Sequence, residues 1–144
     1  MEVEKYVARD TGKLVLSSTF FLVPCVFTVP KGMYFYTAML ILTWGISVNY
    51  WRKATYGWRR DLDLVFSKIS FAVFFARGYV VVYMSPYDTI YEKVYICTGF
   101  TFLGLIVYFY RCSVAAYNAG SPLWIYYHML FHLFIVLEFM SIFS

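Results

Sequence analysis

Five ionisable side chains interrupt stretches of the sequence that are otherwise apolar: Lys68, Arg77, His128, His132 and Glu138. A charged group inside an apolar span costs a few kcal/mol unless it is paired or hydrated, so each marks a functional-site hypothesis. His128 and His132 are four residues apart, which on a helix places both imidazoles on one face, within reach of one metal ion. The structural alternative is that both histidines hydrogen-bond to neighbouring helices.

The other polar groups fall into two sets by their predicted depth. Ser47, Asp61, Asp63 and Lys68 join the two histidines near one end of the apolar spans, whereas Arg77 and Glu138 lie at matching depth near the other end. Lys68 shares a helix face with Asp61, so it is expected to pair with Asp61 or to extend towards the membrane surface. Arg77 and Glu138 are expected to form an ion pair, with a transport path as the alternative.

The composition indicates the environment in which these groups lie. Hydrophobic residues make up 62% of the 144 residues, charged residues 14%, and the mean hydropathy is +0.65. A soluble domain has about half its residues apolar and about a quarter charged. Aromatic residues reach 24%, which excludes a disordered chain. These values predict a membrane protein.

Charged residues divide the chain into five apolar stretches, and about 20 helical residues are needed to cross a bilayer. We therefore predict an all-α, polytopic bundle of five transmembrane helices, forming a single transmembrane domain over residues 1–144, with spans at 14–30, 32–51, 64–84, 87–110 and 122–143. Pro24 predicts a kink in the first span, for which a re-entrant or tilted segment is the alternative. Ser85–Pro86, with Asp88 as a capping residue, and Ser121–Pro122 are predicted helix starts.

The Lys and Arg residues predict the orientation. With five spans, eight of them lie on one side (Lys5, Arg9, Lys13, Arg52, Lys53, Arg59, Arg60 and Arg111) and two on the other (Lys31 and Lys93). This bias predicts a cytoplasmic N-terminus and a C-terminus outside. The pairs Arg52–Lys53 and Arg59–Arg60 are also suited to bind anionic lipid headgroups. Because the net charge of +4 is explained by membrane topology, a nucleic-acid partner is not expected.

The order of the polar residues resembles that of the alkaline ceramidase, progestin-and-adiponectin-receptor and GPI-remodelling hydrolase superfamily. That family carries Ser-x-x-x-His, then an Asp, then His-x-x-x-His, and its three histidines bind zinc. The similar positions are Ser47 to Trp51, Asp61 or Asp63, and His128 to His132. The resemblance implies Ser47 and Asp61 as catalytic residues, and zinc bound by His128, His132 and Asp63. Trp51 stands where the first zinc-binding histidine is expected, and there are five spans instead of seven.

Three functions are consistent with these patterns. The first is a non-catalytic accessory or assembly protein of the lipid bilayer that forms homo-oligomers through helix contacts. The second is a diverged zinc-dependent hydrolase of membrane lipid amides or esters. The third is an oligomeric proton or ion pathway, with histidines that titrate near neutral pH. We expect the first, because the zinc-ligand set is incomplete.

Overall fold

The computed structural model describes residues 7–8, 11–86 and 88–144, and all regular structure in them is helical. The helices are α1 (Gly12–Thr19), α2 (Cys25–Thr28), α3 (Tyr34–Trp51), α4 (Trp58–Met84), α5 (Ile90–Asn118) and α6 (Trp124–Phe143), with a short 3-10 helix, Phe20–Leu22, between α1 and α2. The all-α prediction is confirmed. Lys5 and Arg9 of the orientation argument, and residue 87 at the predicted start of the fourth span, lie outside the described residues.

Three of these helices are long and apolar enough to cross a membrane. They are α4, α5 and α6, with 27, 29 and 20 residues, and they overlap the third, fourth and fifth predicted spans. The α3 helix has 18 residues but is not among them, since tyrosines, tryptophans and Asn49 lower its hydropathy. The membrane prediction therefore depends on the last three helices.

The first predicted span is broken into short segments at the proline. The α1 helix gives way to the 3-10 helix at Phe20, and α2 begins only after Pro24. Proline has no backbone N–H and its ring excludes the preceding turn of an α-helix, so a break here is expected. The regular α-helical hydrogen bonding is interrupted between Thr19 and Cys25, and the kink at Pro24 stays a prediction.

The chain forms two compact units, residues 1–70 and 71–144. In the first unit, α1, the 3-10 helix and α2 pack on α3, and Leu14, Phe21 and Leu40 are buried there. In the second unit, α5 packs along α6, and Phe74, Phe139 and Phe143 form a buried aromatic cluster. The α4 helix contributes residues to both units.

The predicted start of α5 at Ser85–Pro86 is wrong. The Ser85 N–H donates to the carbonyl of Val82 at the end of α4. The ring of Pro86 also disfavours the helical conformation for Ser85, the residue that precedes it. Instead Thr89 caps α5: the Glu92 N–H donates to Thr89 Oγ1 at 3.2 Å, and the Thr89 N–H donates to Glu92 Oε2 at 2.9 Å. This reciprocal capping box satisfies two backbone donors that a helix start leaves open.

We expect Thr89→Ala to lower the free energy of unfolding by about 1 kcal/mol, because it removes the side-chain acceptor at the start of α5. The measurement is denaturant unfolding of the purified protein in mixed micelles, followed by far-UV circular dichroism. Thr98→Ala is the matched control, since the Thr98 hydroxyl donates only to the Val94 carbonyl of its own helix, at 2.8 Å. Equal losses in both variants would contradict a capping role.

Candidate functional site

A buried polar cluster in the first unit joins α1, α3 and the start of α4 through Ser18, Ser47 and Asp63. The Ser47 hydroxyl donates a hydrogen bond to the Asp63 carboxylate. The Ser18 hydroxyl donates to the Leu14 carbonyl at 2.8 Å and lies 3.4 Å from Ser47 Oγ. All three side chains are at most 8% exposed. No sequence pattern selects Ser18, because a serine in a short apolar helix is common.

Asp61 and Asp63 lie on different sides of α4. Asp63 is buried beside Ser47, and its Oδ1 atom has no hydrogen-bond partner among the described residues. The Asp61 side chain is 71% exposed and lies 3.9 Å from Arg60 Nη1, an exposed pair that contributes little stability. The structure therefore brings Ser47 together with Asp63, the predicted metal ligand, and leaves Asp61, the predicted catalytic residue, at the surface.

Trp51, which replaces the histidine of the resembled family, has a structural environment of its own. It is 6% exposed, its ring lies 4.6 Å from that of Tyr50, and its backbone carbonyl accepts a hydrogen bond from Thr11 Oγ1. An indole is a donor only and offers no lone pair to a metal ion. Position 51 therefore anchors the chain before α1 to the end of α3 and cannot ligate zinc through its side chain.

His128 and His132 form the centre of a second polar group, between α5 and α6. Their ring centroids are 4.7 Å apart at an interplanar angle of 69°, and His132 is 3% exposed. Ser113 of α5 lies against His128: its Oγ is 3.3 Å from His128 Nδ1 and donates to the Trp124 carbonyl at 3.2 Å. The predicted shared face of the two histidines is confirmed. Ser113 carries no spacing signal that would have identified it.

A complete metal site is not formed in the described parts of the chain. No three His, Cys, Asp or Glu side chains there are grouped so that they could hold a metal ion. His128 and His132 supply two nitrogen ligands, whereas a catalytic zinc site takes three protein ligands and an open position for water. The zinc site remains a prediction from the resemblance.

The other ionisable residues in the predicted spans do not form the pairs expected of them. Lys68 is exposed. Arg77 and Glu138, both in the described part of the second unit, do not form an ion pair, and the buried atoms Arg77 Nε and Glu138 Oε2 have no hydrogen-bond partner among the described residues. A matching depth predicted from the sequence is insufficient for pairing, because the two side chains must also face each other.

Two basic residues in the first turn of α4 are associated with aromatic rings. The Arg59 guanidinium lies 5.6 Å from the Trp58 ring centroid, and that of Arg60 lies 5.3 Å from the Tyr56 ring centroid. Both distances are in the range of cation–π attraction. Aromatic and basic side chains together are typical of a membrane interface, which is where the predicted lipid-headgroup site of Arg52, Lys53, Arg59 and Arg60 requires them.

Comparisons with protein-family models, with curated proteins and with solved structures find no match for this chain.

Proposed function

We propose that the chain is a multi-pass integral membrane protein with a non-catalytic role in assembly. The three long apolar helices support insertion into a bilayer. The observation that supports the non-catalytic role is that interior polar side chains form hydrogen bonds between helices. Thr43 Oγ1 of α3 and Ser70 Oγ of α4 form a 2.9 Å hydrogen bond while 7% and 2% exposed. Such bonds hold helices together where the hydrophobic effect between them is absent.

The α5 helix is the proposed site of self-association. Very little of its most apolar stretch is buried within the chain, and on that stretch Phe100, Val107 and Tyr108 are more than half exposed. A Cβ at Gly104 would meet no atom within 4 Å, so this part of the helix is open to close approach by another helix. Small residues allow such approach between membrane helices.

Self-association is tested by oxidative crosslinking through the native cysteine of α5 in nanodiscs. Cys97 is exposed on this helix, so we expect a covalent dimer that is lost in Cys97→Ser and retained in the control Cys112→Ser. Cys112 is half-buried on the same helix. A protein that stays monomeric by native mass spectrometry over a wide range of protein-to-lipid ratios would contradict an assembly role.

The proposed topology places the start of α4 and the end of α6 on opposite sides of the membrane, because three spans separate them. It also places Lys53 in the cytoplasm, by the excess of Lys and Arg on that side. In a variant with the three native cysteines replaced by serine, we expect Lys53→Cys to react with an impermeant maleimide only from the cytoplasmic side, and Ser144→Cys only from the opposite side. Labelling of both positions from one side would refute an odd number of spans between them.

A second proposal, a diverged zinc-dependent hydrolase of membrane lipids, is supported by two local contacts. Ser47 donates to the buried Asp63, and His128 and His132 share one face, as the resemblance implies. We expect about one zinc per chain by mass spectrometry, lost in His128→Ala and His132→Ala and retained in Asp61→Asn, which alters an exposed carboxylate. A folded preparation without metal would exclude this proposal.

A further inference from the structure

A cavity of about 190 Å³ lies within the second unit, bounded by α4, α5 and α6. This is far more than the roughly 15 Å³ that a single water requires. Its walls are mainly apolar, and five of the lining residues are aromatic: Phe71, Phe75, Tyr79, Tyr95 and Phe100. Among these apolar walls, Glu138 contributes a carboxylate.

The Glu138 carboxylate lacks a partner within the described residues. Its Oε2 atom is enclosed by protein and accepts no hydrogen bond from them, and Arg77, the arginine expected to neutralise it, does not form an ion pair with it. A half-buried carboxylate with one enclosed, unpartnered oxygen costs free energy that an opposite charge at close range offsets. The cavity therefore contains an acidic group and the space in which a positive charge would fit.

Two glycines determine the shape of this space. A Cβ at Gly99 would lie 3.7 Å from both carboxylate oxygens of Glu138, so the carboxylate rests directly against the α5 backbone. A Cβ at Gly78 would lie 3.3 Å from Ile142 Cδ1, so α4 approaches α6 closely at this point. A long side chain at position 99 would enter the space in front of the carboxylate.

We propose that this cavity binds a small organic ammonium ion, with Glu138 as its counter-ion and the aromatic rings packed around its alkyl groups. Aromatic side chains attract quaternary and methylated ammonium groups through the negative faces of their rings. A hard metal cation such as Ca²⁺ would require about six or more oxygen ligands, which a wall with one carboxylate does not offer. A neutral hydrocarbon would leave the carboxylate unpartnered.

The test is isothermal titration of the full chain in nanodiscs with tetramethylammonium chloride, at a constant ionic strength of about 0.15 M set with KCl. We expect saturable binding by the wild type. Glu138→Gln keeps the side-chain shape and removes the charge, and it should weaken binding by at least about tenfold. Gly99→Leu should abolish binding by filling the cavity. Asp88→Asn, which removes an exposed charge of the second unit that does not line the cavity, should bind as the wild type does.

Neopentyl alcohol, a neutral molecule of similar shape, separates charge recognition from simple filling of the cavity. It should bind the wild type more weakly than tetramethylammonium does. It should bind Glu138→Gln with the same affinity as it binds the wild type. Absence of tetramethylammonium binding to the wild type would overturn the proposal, as would unchanged affinity in Glu138→Gln. Should one variant fail to fold by circular dichroism, the preference of the wild type for the charged molecule over the neutral one decides the question. Zinc binding and self-association are measured in separate experiments. The absence of ammonium binding would therefore leave both proposed functions unaffected.

Discussion

Replacing Phe74 with alanine is expected to lower the free energy of unfolding by about 3 kcal/mol. Phe74 is 1% exposed, and its ring centroid lies 4.1 Å from that of Phe139 and 5.7 Å from that of Phe143. Lipid chains are as apolar as the protein interior, so membrane helices associate mainly through van der Waals packing. Removing a buried ring leaves a void whose lining loses those contacts outright.

The measurement is unfolding of the protein in mixed micelles, with Phe75→Ala as the matched control. Phe75 is the next residue of α4 and is 53% exposed. Its stacking on Phe71, at 6.1 Å between centroids, accounts for a loss of no more than about 1 kcal/mol. A Phe74 variant that is as stable as the Phe75 variant would show that the aromatic cluster does not hold α4 against α6.

The long helices were predictable because charge-free runs are a direct signature of apolar spans. The ends of these helices were less predictable. The α5 helix continues past Arg111 to Asn118, and α4 begins at Trp58, six residues before the predicted start at residue 64. Charged residues mark where a chain leaves hydrocarbon, but a helix can continue beyond that boundary, since Arg and Glu favour helix as well. The break after α1 was predictable only in part, because proline indicates a kink and does not specify the conformation of the residues around it.

The candidate site was predictable as a set of residues but not as a set of contacts. Two carboxylates two positions apart on a helix point in different directions, and the sequence contains no signal for which of Asp61 and Asp63 meets Ser47. Ser113 and Ser18 were missed for a similar reason. Their roles arise from which helix packs beside them, and helix pairing is a tertiary property that hydrophobic spacing along one chain does not encode.

Two kinds of polar group are present in the interior. Ser47, Thr43 and Ser113 make hydrogen bonds that join neighbouring segments, and a helix bundle uses such groups for its own stability. Glu138 makes none among the described residues and lies in a cavity. A group whose hydrogen-bonding capacity is not used by the fold is the better candidate for binding another molecule.

Replacing Ser47 with alanine is expected to lower the free energy of unfolding by about 2 kcal/mol, although only one oxygen atom is removed. The hydroxyl donates to the carboxylate of Asp63, and hydrogen bonds to charged groups contribute about 1.5–3 kcal/mol. The Asp63 Oδ1 atom already has no partner among the described residues. Loss of the serine donor therefore leaves the whole carboxylate, which is 8% exposed, without that stabilisation.

The control is Ser67→Ala, at an exposed position of α4, which should change the free energy of unfolding by no more than about 0.5 kcal/mol. A double-mutant cycle with Asp63→Asn isolates the interaction. The two single changes should be non-additive by about 1 kcal/mol or more, as expected for residues in direct contact. Additive effects would show that Ser47 and Asp63 stabilise the fold independently. In that case the hydrogen bond between them would not explain why a carboxylate is buried at this position.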